Sequence, residues 1–247
     1  MLVQLPEGFT TLVTGAGGGI GGAIVDALLA SLRPGRVIGV SRQPGAQVDD
    51  TRFESLTADL TTPEGRERLA AHLNGTPLHL VFNTLGMLHD EALGIHPEKK
   101  LDDLDAEAMA HLFHVNAATP ALLLQALQPS LKGQHPALVA SLSARVGSIE
   151  DNRLGGWYAY RASKAAHNML MRTAAVELRR LNRSLAVVCL HPGTTDTGLS
   201  RPFQARVPEG KLFTPAFVAE RLLAVLGERP LGGAASFHDW AGETVAW

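Results

Sequence analysis

Cysteine is almost absent from this sequence, and so is any cluster of positive charge. The single cysteine among 247 residues, Cys189, lies in the apolar run 185–190, which excludes an intrachain disulfide and indicates a buried side chain. The formal net charge is −2 and no basic block occurs, so we expect neither a nucleic-acid nor a membrane partner. No apolar run reaches membrane-spanning length, and residues 1–8 carry no basic leader. We therefore expect a cytoplasmic protein without a signal peptide.

The overall pattern of the chain is an alternation of strands and helices. Hydrophobic residues make up 45% of the chain and charged residues 19%, which is typical of a globular domain with a full core. Short apolar runs alternate with helical patterns through most of the sequence. This alternation predicts an α/β fold with a doubly wound parallel sheet, Rossmann-like, in a single domain over residues 1–247.

A glycine-rich turn follows the first predicted strand. The apolar run 10–14 leads into glycines over 15–22, and a helical pattern follows over 23–29, closed by Pro34 and Gly35. Strand, glycine turn and helix in this order favour a dinucleotide site over a plain turn. Glycine lets the backbone approach a pyrophosphate, and the helix offers unpaired N–H groups.

The end of the second predicted strand indicates which nucleotide is bound. Ser41 and Arg42 follow the run 36–40, and no acidic residue occurs until Asp49. A carboxylate here selects the ribose 2′-hydroxyl of NAD, whereas an arginine accommodates a 2′-phosphate. We therefore predict that NADP(H) is preferred and that NAD(H) is possible, the alternative being a solvated loop arginine.

Tyr160 and Lys164 form the candidate acid/base pair. If the helix begins near Tyr158, the two side chains stand four residues apart and project from one face. A free phenol has a pKa of about 10, and one ammonium about 4 Å away is sufficient in principle to lower it to about 7. Taken alone, the pair is more often an ordinary surface contact.

Four motifs together resemble the short-chain dehydrogenase/reductase family. The first is the glycine turn, with glycines at 15, 19 and 21 rather than at Gly-x-Gly-x-x-Gly spacing. The others are Asn83 to Gly86, the pair of Tyr160 and Lys164, and the run 192–197. The resemblance spans nearly the whole chain. The segment 142–166 is most similar to the C-factor and sniffer-type carbonyl reductase branch.

The resemblance implies a set of nucleotide-binding residues along the predicted carboxyl edge of the sheet. Asp59 and Leu60 contact the adenine in the family, although Asp59 also suits a turn, and the run 192–197 contacts the nicotinamide carboxamide. The turn at Asn83 departs from the family's usual Asn-Asn-Ala-Gly. The expected cofactor-binding residues are Gly15, Gly17, Gly18, Gly19, Ile20, Gly21, Ser41, Arg42, Asp59, Leu60, Asn83, Gly86, Tyr160, Lys164, Pro192, Gly193, Thr195 and Thr197.

The resemblance also implies a catalytic set of Asn116, Ser143, Tyr160 and Lys164. In the family an asparagine at this point interrupts a helix, and its carbonyl holds a water near the lysine. The family's serine hydrogen-bonds the substrate carbonyl. The common Ser-Ser-x-x-Gly pattern would put that serine at Ala144, so Ser143 is the best candidate and Ser141 the alternative.

These expectations describe an NADPH-dependent enzyme that reduces a ketone or aldehyde to an alcohol. The alternative is a nucleotide-binding sensor with little turnover. His111 and His114 lack a third ligand, so we expect no metal site. The segments 87–104 and 198–213 are expected to border the substrate, the second as a lid. The resemblance further implies a homodimer or homotetramer formed through helices around 116–131 and 158–181.

Overall fold

The fold is a seven-stranded parallel sheet with helices on both faces. The computed structural model describes residues 2–44 and 48–247, so Met1 and residues 45–47 lie outside the description. The strand order is β3-β2-β1-β4-β5-β6-β9, and every pairing is parallel. The strands are β1 Phe9–Thr14, β2 Pro34–Ser41, β3 Phe53–Thr57, β4 Leu80–Asn83, β5 Ala137–Leu142, β6 Leu185–His191 and β9 Ser236–Asp239. The predicted doubly wound Rossmann-like fold is confirmed.

In the described residues, six α-helices connect and cover the strands. A short pair of strands, β7 Thr194–Thr195 and β8 Leu212–Phe213, lies beyond the carboxyl end of β6. A π-helical segment, His114–Ala118, joins two of the helices. The helices are α1 Gly19–Ala30, α2 Pro63–Leu73, α3 Ala106–Phe113, α4 Thr119–Leu131, α5 Tyr158–Leu181 and α6 Pro215–Gly227.

Two apolar layers hold the helices to the sheet. On one face, leucines of α2 and α4 and Met171 of α5 pack against the strands. On the other face, α1 and α6 contribute Leu28 and Leu222, both completely buried. Burying one such leucine stabilises the fold by about 2 kcal/mol. The central strands β1, β4, β5 and β6 are buried along almost their whole length because both of their faces are covered.

One predicted boundary is wrong. Pro34 and Gly35 were expected to close the first helix, but α1 ends at Ala30 and Pro34 is the first residue of β2. Proline lacks an N–H and fixes φ, which suits the first position of a strand as well as the end of a helix. The side chain of Thr62 caps the start of α2, since it accepts a hydrogen bond from Gly65 N at 3.1 Å.

Candidate active site

The glycine turn between β1 and α1 is shaped for close backbone contact. A Cβ atom on Gly21 would lie 2.1 Å from the carbonyl oxygen of Gly15, so only glycine lets the helix start this near the strand. The N-cap residue Gly18 has no side chain to cap the helix, and the first turn of α1 contains no acidic residue. The N–H groups of this turn lack helical partners and form a site suited to an anion.

Other strand ends meet this turn. The Thr84 hydroxyl donates to the carbonyl of Thr14 at 2.7 Å. A Cβ on Gly17 would lie 3.3 Å from Cβ of Ser41, and one on Gly19 would lie 2.8 Å from the methyl carbon of Thr197. The chain segments after β1, β2, β4 and β6 are therefore brought to one place, as expected for the carboxyl edge of a doubly wound sheet.

One large cleft of about 2070 Å³ runs along this edge. Asn83 and Asn116 do not line it, although both were predicted as site residues. The other predicted site residues do, and they are Gly15, Gly17, Gly18, Gly19, Ile20, Gly21, Ser41, Arg42, Asp59, Leu60, Gly86, Ser143, Tyr160, Lys164, Pro192, Gly193, Thr195 and Thr197.

Arg42 and Asp59 lie at the end of the cleft formed by β2 and β3. Arg42 is exposed. The Asp59 carboxylate accepts from the backbone N–H and the hydroxyl of Thr61, at 3.0 and 2.7 Å. Hydrogen bonding from Thr61 holds the pKa of Asp59 below its ordinary value, and the charges of Arg42 and His114 add to this effect. Asp59 therefore forms a turn and lines the cleft at the same time.

The buried side chain of Asn83 joins three strands. Its Oδ1 accepts from the Thr14 hydroxyl at 2.7 Å, and its Nδ2 donates to Oγ of Ser141 at 2.8 Å. Asn83 thus ties β1 to β4 and β5 beneath the cleft. Because Ser141 is completely buried in this contact, only Ser143 of the two candidate serines lines the cleft.

The hydroxyl of Ser143 points along α5. It donates its single proton to Oδ1 of Asn168 at 2.6 Å. Ala144 packs against Tyr160, together with Leu88. In this arrangement Ser143 offers a ligand an accepting oxygen but no proton.

Tyr160 and Lys164 are both buried on one face of α5, whose predicted start at Tyr158 is confirmed. The ammonium donates to the carbonyl of Leu142 at 3.0 Å and lies 5.9 Å from the centre of the Tyr160 ring. Burial raises the pKa of the Tyr160 phenol and lowers the pKa of Lys164 to about 8. In the protein by itself, burial therefore moves the pKa of the phenol away from neutrality, because desolvation disfavours the phenolate. The lowering of this pKa by the ammonium stays a prediction.

Asn116 lies in the π-helical segment, which confirms the predicted interruption between α3 and α4. Its side chain bonds both backbone groups of Met87, at 2.7 and 2.8 Å, and donates to Oγ of Ser163 at 3.0 Å. Its carbonyl accepts from Nδ1 of His167 at 3.1 Å. A Cβ on Gly86 would lie 3.3 Å from Nζ of Lys164, so Asn116, Gly86 and the lysine share one small region.

Two residues of this region were missed in the sequence. His167 and Asn168 are buried one turn beyond Lys164 and bond the two auxiliary residues, Asn116 and Ser143. Burial, with the nearby Lys164 charge, lowers the pKa of His167 to about 3, so the ring is neutral. The helical spacing from Tyr160 places both on the buried face of α5, and that spacing would have found them.

An apolar chamber adjoins Tyr160. Leu88, Val146 and Trp157 pack around it, and Phe203 closes it from the short helix Arg201–Arg206. The Trp157 and Phe203 rings lie 5.1 Å apart. The segments 87–104 and 198–213, predicted to border the substrate, both contribute to this end of the cleft.

Within residues 2–44 and 48–247, no three His, Cys, Asp or Glu side chains are grouped so as to hold a metal ion. None of the helices in the described part of the chain is long and apolar enough to cross a membrane.

Known proteins share both the sequence pattern and the fold. Residues 10–207 match the family model described as short chain dehydrogenase. The C-signal protein of Myxococcus xanthus is 35% identical over 147 residues, which cover 60% of this chain and 83% of that protein. An NADPH-bound carbonyl reductase from chicken fatty liver is 28% identical with a TM-score of 0.83, covering 98% of this chain and 100% of that one. The carbonyl reductase Sniffer of D. melanogaster, 20% identical with a TM-score of 0.79 over 98% of this chain and 100% of that one, shares the fold. The resemblance expected from segment 142–166 is confirmed.

Proposed function

The chain belongs to the short-chain dehydrogenase/reductase family of oxidoreductases, and on that premise we propose that it uses NADPH to reduce a ketone or aldehyde to an alcohol. The observation that carries the proposal is the position of Tyr160 and Lys164. Both project from α5 into the cleft that begins at the glycine turn. The candidate proton donor and the glycine turn that suits a nucleotide therefore line the same cleft.

The residues of the cleft fit NADPH. The uncapped first turn of α1 suits the pyrophosphate, and Arg42 suits the 2′-phosphate. Thr195 and Thr197 line the cleft beyond β6 and would hold the nicotinamide carboxamide there, and Oγ1 of Thr195 is buried without a partner in the described structure. When bound, the cofactor supplies the hydride. The carbonyl reductase from chicken fatty liver, with bound NADPH, supports this choice of cofactor.

The raised pKa of Tyr160 suits reduction. A phenol that keeps its proton at neutral pH can donate it to the oxygen of a carbonyl compound. Lys164, whose pKa is lowered only to about 8, is still largely charged at pH 7 and would stabilise the resulting phenolate. We assign Ser143 to holding the substrate oxygen, which requires its hydroxyl to turn away from Asn168. Asn116 is assigned to the path that returns a proton to the phenol.

Replacing Tyr160 by phenylalanine tests this assignment. We expect Tyr160→Phe to lose at least about a hundredfold in kcat, because general acid catalysis contributes about 10²–10⁴. NADPH binding, measured by fluorescence titration, should change little because the glycine turn is intact. Tyr158→Phe is the matched control, since Tyr158 is the only other tyrosine and does not line the cleft. Equal activity of Tyr160→Phe and wild type with ketones, aldehydes and quinones would refute the assignment.

A second candidate function is an NADP(H)-binding sensor with little turnover. Two observations favour it: the Ser143 proton is donated to Asn168, and the residue packed against Tyr160 is Ala144. A substrate panel followed at the NADPH absorbance band separates the two functions. Binding of NADPH without oxidation of the cofactor by any carbonyl compound would support the sensor.

A further inference from the structure

A buried glutamate outside the cleft is hydrogen-bonded to the backbone at the start of α5. Glu98 is only 4% exposed, although it lies in the loop segment 87–104. Both of its carboxylate oxygens lie 3.3 Å from the backbone nitrogen of Ala159, and its own carbonyl accepts from the backbone N–H of Trp157 at 2.6 Å. One residue therefore accepts from two backbone N–H groups, those of Trp157 and Ala159, at the point where the helix begins.

The backbone held in this way is an unusual one. Gly155, Gly156 and Trp157 all have positive φ values, of 65°, 65° and 53°. Two glycines adopt this region freely, but a bulky side chain does so only when its surroundings impose it. The hydrogen bond to Glu98 acts on Trp157 itself, so it is well placed to impose that conformation. The carboxylate also faces the positive end of the α5 dipole, where a negative charge is stabilising.

The backbone that Glu98 holds is close to Tyr160, the proposed proton donor. Ala159 immediately precedes Tyr160, and the Trp157 ring lies 6.2 Å from the Tyr160 ring and 5.1 Å from that of Phe203. A shift in the first turn of α5 would therefore move the phenol and the wall of the apolar chamber together. Glu98 itself does not line the cleft.

We propose that Glu98 is a positioning residue that fixes Tyr160 and Trp157 through the first turn of α5. The proposal rests on the proposed carbonyl reduction. It assigns Glu98 no contact with substrate or cofactor, and its effect is expected on kcat and on the KM for an apolar ketone. NADPH affinity should change little, because the glycine turn stays intact.

Three variants of Glu98 test the proposal. Glu98→Ala should lower kcat about ten- to a hundredfold and raise the KM for an aromatic ketone, since a misplacement of about 1 Å can cost a factor of a hundred. Its solvent deuterium isotope effect on kcat should rise, because proton transfer from a misplaced phenol becomes slower. Glu98→Gln keeps an oxygen that accepts from Ala159 and should stay within about threefold of wild type. Glu98→Asp keeps the charge but draws it back, and should fall between them; it decides the matter if Glu98→Ala does not fold.

The control is another carboxylate that caps a helix. Asp105 accepts from the backbone N–H of Ala108 at 2.8 Å at the start of α3, away from the cleft. Asp105→Ala should lower the melting temperature as a lost cap does, while kcat, KM and the isotope effect stay unchanged. Hydrogen exchange of peptides covering 155–165 should accelerate in Glu98→Ala and not in Asp105→Ala.

The outcomes separate the two proposals. Unchanged kcat, KM and isotope effect in Glu98→Ala, or in Glu98→Asp if the alanine variant is unfolded, would overturn the role of Glu98 while an active wild type leaves carbonyl reduction standing. A wild type that turns over no carbonyl compound would overturn both.

Discussion

Lys164 shows how one buried charge links activity to stability. Only 3% of the residue is exposed, and residues 2–44 and 48–247 supply one hydrogen-bond acceptor for its ammonium, the carbonyl of Leu142. Burial therefore lowers the pKa of Lys164 from 10.5 to about 8. The ammonium that the proposed reduction needs beside the phenol is costly to bury, and Lys164 loses its proton at a pH at which a solvent-exposed lysine is still charged.

The activity should fall as Lys164 loses its proton. In the proposed reduction, kcat/KM should decline above a pH of about 8, because this ratio reports the pKa values of the free enzyme. Steady-state rates from pH 6 to 9.5 measure this decline in kcat/KM. Lys100→Met, at an exposed lysine, is the control. A profile that stays flat to pH 9.5 would contradict the assignment.

Stability should change in the opposite direction. Because the folded pKa is lowered, the unfolded chain binds more protons between pH 8 and 10.5, and the free energy of unfolding rises with pH in that window. Between pH 7.5 and 9.5, the free energy of unfolding of the wild type should rise by about 2 kcal/mol relative to that of Lys164→Met. Urea unfolding of both proteins measures the difference. An equal pH dependence of the two would show that burial does not shift this lysine.

Arg42 is the residue expected to distinguish the two nucleotides. Replacing it by alanine removes the charge that pairs with a 2′-phosphate, so the KM for NADPH should rise about ten- to a hundredfold. The KM for NADH should change little, because NADH lacks that phosphate. Kinetics with both cofactors provide the test. A similar loss for both cofactors would show that Arg42 acts on a part they share.

At the scale of single residues, the sequence predicted which residues form the site better than it predicted their ionisation and their hydrogen-bond partners. The motifs placed Tyr160 and Lys164 on one face, but the pKa of the phenol depends on burial, which adjacent residues do not reveal. The partner of Ser143 is Asn168, 25 residues away, and that contact exists only after β5 and α5 have packed. The open choice between Ser141 and Ser143 depended on the same packing.

At the scale of elements, the turn between β1 and α1 depends on one close approach. Gly21→Ala would force a Cβ to within 2.1 Å of the Gly15 carbonyl, so the turn must open and NADPH affinity should fall at least about tenfold. The neighbouring helical variant Gly22→Ala meets only the Ala16 carbonyl at 3.4 Å and should be tolerated. Binding titrations and melting temperatures of the two variants measure the contrast. Equal affinities would show that the approach is not needed.

Elements with a local cause were predictable and those with a distant cause were not. The start of α2 has a local cause, because Thr62 is its N-cap and Pro63 its first residue. The interruption at Asn116 followed from the family resemblance. By contrast, Pro34 is compatible with either the end of a helix or the start of a strand, and pairing with β1 decided for the strand. Glu98 was missed because a buried carboxylate in a loop has no periodic pattern.

At the scale of the whole molecule, the exposed face of α5 bears on assembly. Met169 and Val176 are seven residues apart on the helix and 65% and 58% exposed, which is unusual for apolar side chains. We expect a homodimer or homotetramer through this face, as the helices 116–131 and 158–181 indicated. Introducing glutamate at both positions should give a monomer by light scattering, since charges are costly in an apolar interface. Val3→Glu, at an equally exposed apolar residue, is the control. A wild type that runs as a 26 kDa monomer would contradict the expectation.

The parallel, doubly wound sheet was implied by the alternation of strands and helices, whereas the chamber beside Tyr160 was not. Its walls come from Leu88, Trp157 and Phe203, which lie far apart in the chain and follow no common period. Sequence alone therefore locates this part of the cleft but not its shape.

The loops that carry Leu88 and Phe203 leave the sheet at β4 and β6 and contribute little to the two apolar layers beneath it. Exchanging the loop that carries Phe203 should thus change the size of the compounds that the protein accepts while the proposed reduction and the thermal stability persist, whereas the loop after β4 must keep Glu98 to hold the start of α5. In a fold divided in this way, substrate selectivity and thermal stability can be changed separately.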